Sequence, residues 1–185
     1  MKLSVPYKEV CLLEEHFIST LLEAIDDKDW YKDDYRNKAA SMSDVNTIPI
    51  HHTPLCATDQ TAYCIKSIRK ESLFDKFAPH VEPILDKLKE YYAFNQYACF
   101  IARLKPHGVI DMHPDQGAFL ETCHRIHVPL QTNPKVSYCI EDKEYYWEAG
   151  KIYEFDNTRW HGVKNRSDEY RIHLVINLYD LKDNL

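Results

Sequence analysis

Apolar positions along the chain follow two different periods, and the change falls near residue 95. Val10, Leu13, Phe17, Leu21 and Ile25 recur every three or four residues, with Lys8, Glu15 and Glu23 outside the stripe. This spacing predicts an amphipathic helix over about residues 6–26. Residues 26–46 are polar, rich in Asp and Lys, and read as loop. A weak alternation between 47 and 66 (Ile48 with Ile50, later Ala62 with Cys64) predicts one or two short strands. A second helical stripe contains Phe77, Val81, Ile84 or Leu85, Leu88 and Tyr92. Pro79 and Pro83 are expected in its first turn or before it, because an interior proline removes a hydrogen-bond donor.

From residue 96 onward, short β-branched and aromatic runs are separated by turn residues. Strands are predicted near Tyr97–Leu104, Val109–Met112, His124–Leu130, Lys135–Ile140, Glu144–Trp147, Ile152–Phe155, Trp160–Val163 and Arg171–Tyr179. Eight strands with no helix between them predict a mainly β fold, a jelly roll (a cupin-like double-stranded β-helix) or a small barrel rather than a parallel α/β sheet, with the N-terminal helices packed on one face. The expected organisation is one catalytic domain over 1–185, in which 1–95 supplies helical support and a candidate lid and 96–180 supplies the jelly-roll core. A barrel of this size holds one small ligand in its mouth.

Composition narrows the function. The net charge is −6, which argues against nucleic acid as a partner. Four glycines at 108, 117, 150 and 162 cannot form a phosphate-binding loop. No apolar run approaches a membrane span, and the N-terminus lacks a signal-type stretch. Six cysteines without a C-x-x-C pair read as reduced thiols, so a cytoplasmic protein is expected.

The chemistry-bearing residues cluster in the β region. His113 and Asp115 are two apart, so in an extended segment they share a face. By itself the pair reads more readily as a solvated turn around Pro114, since about one such pair arises by chance in a chain of this composition. Adding His161 completes a two-His, one-carboxylate set, the ligand type of non-haem Fe(II) oxygenases. His161 alone also reads as a partly buried histidine beside Trp160. Arg171, ten residues on, is costly inside a barrel unless it meets an anion, and its fork matches a carboxylate. A surface arginine paired with Asp168 or Glu169 is the alternative. Arg125 and His127 project to one face of their strand, with His124 and Ile126 on the other. That face is either the barrel interior, facing an anion or metal, or solvent.

In this order the residues resemble the aspartyl/asparaginyl β-hydroxylase family of 2-oxoglutarate- and Fe(II)-dependent oxygenases. The resemblance runs from Arg103 to Tyr179. It covers Arg103-Leu104-Lys105-Pro106-His107-Gly108-Val109-Ile110, His113-x-Asp115, Arg125-Ile126-His127-Val128-Pro129-Leu130, Trp147-Glu148-Ala149-Gly150-Lys151, Phe155-Asp156-Asn157, His161 and Arg171. It implies Fe(II) held by His113, Asp115 and His161, and 2-oxoglutarate held by Arg171 with Arg125 and His127. Some relatives lack a carboxylate at the position of Asp115. His107 stands where the family turn often has Gly, a departure that is tolerable if its φ stays negative, while Gly150 is expected to form a tight turn. The family's large targeting and repeat regions have no counterpart, so a stand-alone catalytic domain is expected.

The implied reaction consumes O2 and 2-oxoglutarate, releases succinate and CO2, and hydroxylates an unactivated C–H bond. The expected substrate is an amino-acid side chain, free or in a peptide, or another small molecule. Basic groups at Arg159, Lys164 and Arg166 would favour an acidic substrate, or are ordinary solvated charges; residues 41–60, with His51 and His52, are a candidate lid. The alternative from another class is a non-catalytic cupin-like barrel binding a metal or small ligand, which would need neither Arg125 nor Arg171 facing its cavity. A Zn- or Ni-binding cupin would call for three His or a Glu near the metal.

Overall fold

The computed structural model describes residues 3–31, 43–51 and 73–180. Among these residues are ten strands: β1 Tyr7–Leu12, β2 Val45–His51, β3 Gln96–Leu104, β4 Val109–His113, β5 His124–Gln131, β6 Val136–Ile140, β7 Lys143–Tyr145, β8 Lys151–Phe155, β9 His161–Asn165 and β10 Arg171–Tyr179. The helices are α1 Glu15–Glu23, α2 Leu73–Leu88 and α3 Ala118–Thr122, with a 3-10 turn at Asp27–Tyr31. Strands β1-β8-β5-β10-β3-β2 form one antiparallel sheet, and β4-β9-β6-β7 form a second. This is the expected jelly roll, and β3 to β10 fall close to the eight anticipated runs.

Alternation along the large sheet sorts its two faces. Ile126 and Val128 of β5 and Leu174, Ile176 and Leu178 of β10 pack with Leu21 of α1 and Phe77 and Ile84 of α2. Phe100 and Ala102 of β3, Val175 of β10 and Phe155 of β8 face the other way and pack with Val136, Tyr138 and Val163 of the small sheet. Each strand of the large sheet therefore carries a helix-facing apolar set and an interior set, as period two requires.

Four local expectations are corrected. The helix expected from residue 6 begins only at Glu15; Tyr7–Leu12 is a strand. Its register, Tyr7 with Phe155 through Leu12 with Lys151, covers the edge of β8, and only that distant partner could reveal it. Pro79 and Pro83 lie inside α2 rather than at its start. The carbonyls they leave without an amide donor belong to Asp75 and Pro79, both exposed residues. α3 interrupts the β4–β5 connection, where no helix was expected, and packs Phe119 with Ala98, Cys123 and Tyr179. His107 has φ +56°, not a negative value, and its imidazole lies 2.9 Å from Asp168.

Gly150, at φ +85°, makes the turn into β8 as expected. Cys11, Cys99, Cys123 and Cys139 are free thiols, and Cys56 and Cys64 lie outside the described residues. Of the candidate lid, only 43–51 is described, mostly as β2, and His52 lies outside. Among the described residues no helix is long and apolar enough to cross a membrane.

Candidate functional site

Pairing of β4 with β9 sets His113 opposite His161 across the small sheet, with ring centroids 4.5 Å apart. Gly162 makes this approach possible: a Cβ there would meet the Ile110 carbonyl oxygen at 2.7 Å. The chain leaves β4 through Pro114 and places Asp115 beside the two rings. One donor atom from each of His113, Asp115 and His161 lies within 4.8 Å of the others.

Each imidazole is oriented by its own backbone. His113 Nδ1 is 2.7 Å from the Asp111 carbonyl and His161 Nδ1 is 2.8 Å from the Arg159 carbonyl. A carbonyl only accepts, so Nδ1 carries the proton on both rings and Nε2 keeps its lone pair for a ligand. Burial, offset in part by Asp115, holds the His161 imidazolium pKa down at about 4, so that ring is neutral at pH 7. The carboxylate is fixed on one side. Asp115 Oδ2 lies 3.3 Å from Arg125 Nη2 and accepts from the Asn157 amide at 3.2 Å, while the Asp115 backbone N–H donates to the Asn157 carbonyl at 2.9 Å. Oδ1 is left toward His113 Nε2, 3.8 Å away. Burial pushes the Asp115 carboxyl up, but Arg125, His161 and the Asn157 hydrogen bond outweigh it and hold the pKa below the usual carboxylate value. Two imidazole nitrogens and one carboxylate oxygen suit Fe(II), so the donor chemistry fits that ion.

Beyond these groups a cavity runs between the sheets. His113, Arg125, His127, His161 and Arg171 all line it, with Phe100, Tyr138, Phe155 and Val175 among its apolar walls. Arg171 is 2% exposed. Among the described residues it has no carboxylate within ion-pair distance; its nearest aromatic partner is Tyr138, 5.0 Å from guanidinium to ring centre. Burial alone draws its pKa down from 12.5 to about 9. The surface alternative fails, because Asp168 lies against His107 and Glu169 against Asn133. His127 is likewise interior, and burial, with Arg125 and Arg171 nearby, keeps it neutral. His124 is on the opposite face, as alternation requires, with Nδ1 2.6 Å from Glu154.

Four further residues build this site and escaped the sequence reading. Asn157 and Asn177 hold Asp115 and Arg125; Arg125 Nη1 donates to Asn177 Oδ1 at 3.0 Å. The Tyr138 hydroxyl lies 3.3 Å from His127 Nδ1 and 3.0 Å from His173 Nδ1, so one ring donates to it and the other accepts. The alternation Arg171, His173, Asn177 against Ile172, Leu174, Ile176 and Leu178 was the available signal for two of them. Arg159, Lys164 and Arg166 all meet carboxylates, namely Glu141 and Asp156 for Arg159 and Glu144 for the other two.

A sequence model described as aspartyl/asparaginyl beta-hydroxylase matches residues 36–180. The sequence has no significant match among curated proteins. Among solved structures, a Pseudomonas putida prolyl-4-hydroxylase superposes with TM-score 0.55 at 11% identity, over 96% of this chain and 94% of that one. A prolyl hydroxylase from Trichoplax adhaerens, in complex with a hypoxia inducible factor oxygen degradation domain peptide fragment, gives 0.58 at 13%, over 97% and 86%. A viral collagen prolyl hydroxylase from Paramecium bursaria chlorella virus-1, as its 2OG complex, gives 0.54 at 13%, over 94% and 96%. At these identities the structural likeness is one of fold.

Proposed function

The chain belongs to the aspartyl/asparaginyl β-hydroxylase family, and from that premise we propose that His113, Asp115 and His161 hold Fe(II), that Arg171 seats the distal carboxylate of 2-oxoglutarate with Arg125 and His127 near its keto-acid end, and that an amino-acid side chain is hydroxylated. The enzyme class is a 2-oxoglutarate- and Fe(II)-dependent hydroxylase. The chemistry the ferrous ion supplies when bound is the coupling of 2-oxoglutarate decarboxylation to delivery of one oxygen atom of O2 into a C–H bond, with succinate and CO2 as co-products.

The protein's own part is binding, charge and exclusion of water. His113 and His161 present Nε2 lone pairs fixed by the Asp111 and Arg159 carbonyls. Asp115 offsets one of the two positive charges, held to one rotamer by Arg125 and Asn157. Arg171 carries the reading: a buried guanidinium with no carboxylate partner among the described residues is costly unless an anion joins it, and this one lines the same cavity as the metal-ligand candidates. A dicarboxylate held at one end by the metal brings its other carboxylate to that end of the cavity. Phe100, Phe155 and Val175 supply apolar walls, which lower the local polarity and strengthen that attraction. No side chain is needed to move a proton in the C–H step.

For the substrate, the paired state of Arg159, Lys164 and Arg166 removes the reason to favour an acidic one. The Trichoplax relative in fold was solved with a peptide, which favours a peptidyl side chain here. Titrating the protein anaerobically with Mn(II) or Fe(II) and then 2-oxoglutarate, with melting temperature as the readout, tests the site. Stepwise stabilisation by metal and then keto-acid is expected. No response to either compound refutes it. Substrate-stimulated succinate release then separates peptides from free amino acids.

A further inference from the structure

Behind the cavity wall lies a buried histidine that the assignment above does not use. His173, on β10, is 0% exposed, and its Nε2 has no hydrogen-bond partner among the described residues. Its Nδ1 lies 3.0 Å from the Tyr138 hydroxyl, which also lies 3.3 Å from Nδ1 of His127. His127 and Tyr138 line the cavity, and His127 Nε2 likewise has no partner among the described residues. Register explains the meeting. His127 of β5 pairs with Val175 of β10, so His173 is its diagonal neighbour on the interior face of the large sheet. Tyr138 reaches both rings from β6 of the small sheet.

Proton counting orders the three groups. Burial above all, with Arg125 and Arg171 near His127 and Arg171 near His173, keeps both imidazoles neutral, so each ring carries one N–H. The hydroxyl has one proton, so it donates to one Nδ1 and accepts from the other. Were it to accept from His127, the His173 proton would sit on Nε2, a buried N–H with no acceptor among the described residues. When it accepts from His173, that Nε2 holds only an unused lone pair, which buried groups tolerate more often. The second order also puts the His127 proton on Nε2, the one ring nitrogen not committed to Tyr138. That N–H is then available to an anion in the cavity, beside Arg125, whose Nε is likewise without a partner among the described residues.

Resting on the reading of this cavity as the 2-oxoglutarate site, we propose that Tyr138 and His173 are positioning residues: the chain from His173 Nδ1–H through the Tyr138 hydroxyl to His127 Nδ1 locks His127 as its Nε2–H tautomer, the form that donates to the keto-acid end of the cosubstrate. The opposite tautomer would turn a lone pair on the same carboxylate and repel it. Neither Tyr138 nor His173 supplies chemistry to the reacting end.

Two measurements test it. Long-range 1H–15N correlation spectra of the histidine-labelled full chain, loaded with diamagnetic Zn(II), read each tautomer directly. His127 is expected as Nε2–H and His173 as Nδ1–H; any other pair of protonation states overturns the proposal and leaves the site reading intact. Calorimetry on the Mn(II)-loaded protein then compares 2-oxoglutarate with 2-oxopentanoate, which keeps the keto-acid end and lacks the distal carboxylate. His173→Phe fills similar space without the donor and is expected to weaken both ligands about fivefold, the scale of one neutral hydrogen bond, whereas His173→Asn, whose side-chain N–H can stand where Nδ1–H stands, should return both to within about twofold of the parent. Tyr138→Phe should weaken 2-oxopentanoate as much as His173→Phe does, a comparison that survives if the His173 variants fold poorly. Equal weakening by His173→Asn and His173→Phe would mean that His173 only packs, and a loss confined to 2-oxoglutarate would place the effect at the distal carboxylate; either overturns the proposal. Unchanged binding in all three variants overturns it as well. Failure of the Mn(II)-loaded parent to bind 2-oxoglutarate overturns this proposal and the site reading together.

Discussion

Replacing Arg171 by methionine separates what the guanidinium costs from what it binds. The side chain is 2% exposed, without a carboxylate partner among the described residues, and burial draws its pKa from 12.5 to about 9. At about 1.4 kcal/mol per pH unit, that drop corresponds to a burial cost of roughly 5 kcal/mol in the ligand-free protein. Exchange of buried ionic groups for apolar ones of similar volume recovers about 1–4 kcal/mol. At about 2–4 °C per kcal/mol for a chain of this size, ligand-free Arg171→Met should melt roughly 2–16 °C above the parent. The parent, given Mn(II) and 2-oxoglutarate at about a hundred times its dissociation constant, should gain roughly 2.7 kcal/mol, while the variant gains nothing. A functional arginine therefore shows itself by opposite signs in two melting curves. A ligand-free variant that melts several degrees below the parent would mean that Arg171 already has a compensating partner. A variant stabilised by 2-oxoglutarate as much as the parent would remove Arg171 from the cosubstrate site.

Three other changes probe the remaining structure. His161→Ala should abolish metal-dependent stabilisation and succinate release while the fold persists, and Asp115→Ala should weaken Mn(II) binding by tenfold or more with some activity retained; full turnover in His161→Ala refutes the ligand assignment. Gly162→Ala drives a methyl into the Ile110 carbonyl and Met112 sulfur, so it should lower stability by about 1–3 kcal/mol and weaken metal binding by shifting β4 against β9; unchanged metal affinity would show that this strand approach does not set the site. Glu154 is buried, yet hydrogen bonds from His124, Lys8 and Tyr92 outweigh burial and hold its carboxyl down at about 2, against 4.5 unfolded. Between those values the unfolded chain binds more protons, so the stability due to Glu154 is intact above pH 4.5 and is lost as pH falls toward 2. That contribution is at most about 3 kcal/mol. Urea unfolding should show the gap between parent and Glu154→Gln shrinking from pH 6 to pH 3, and a constant gap contradicts the assignment.

What was legible in the chain depended on how far each residue's partner lies along it. Strands β3 to β10 each declare themselves locally, through alternation closed by turns such as Ala149-Gly150, so the jelly roll was readable without any long-range contact. His113, Asp115 and His161 were readable from their spacing as a two-His, one-carboxylate set within a longer family-like string, and Arg125, His127 and Arg171 as polar side chains at positions that could face a barrel interior; the structure gathers all six around one cavity mouth or its walls. Tyr7–Leu12 was misread because its spacing continues smoothly into α1, and the β8 edge that makes it a strand lies some 140 residues away. Asn157 shows the same limit at the site itself. An asparagine after Phe155-Asp156 is unremarkable, and its significance arises only when the fold sets Asp115 against its side-chain amide. The residues that hold a reactive centre by exception to a local pattern can be found in sequence, whereas those that complete it by obeying the pattern emerge only once the strands are registered against each other.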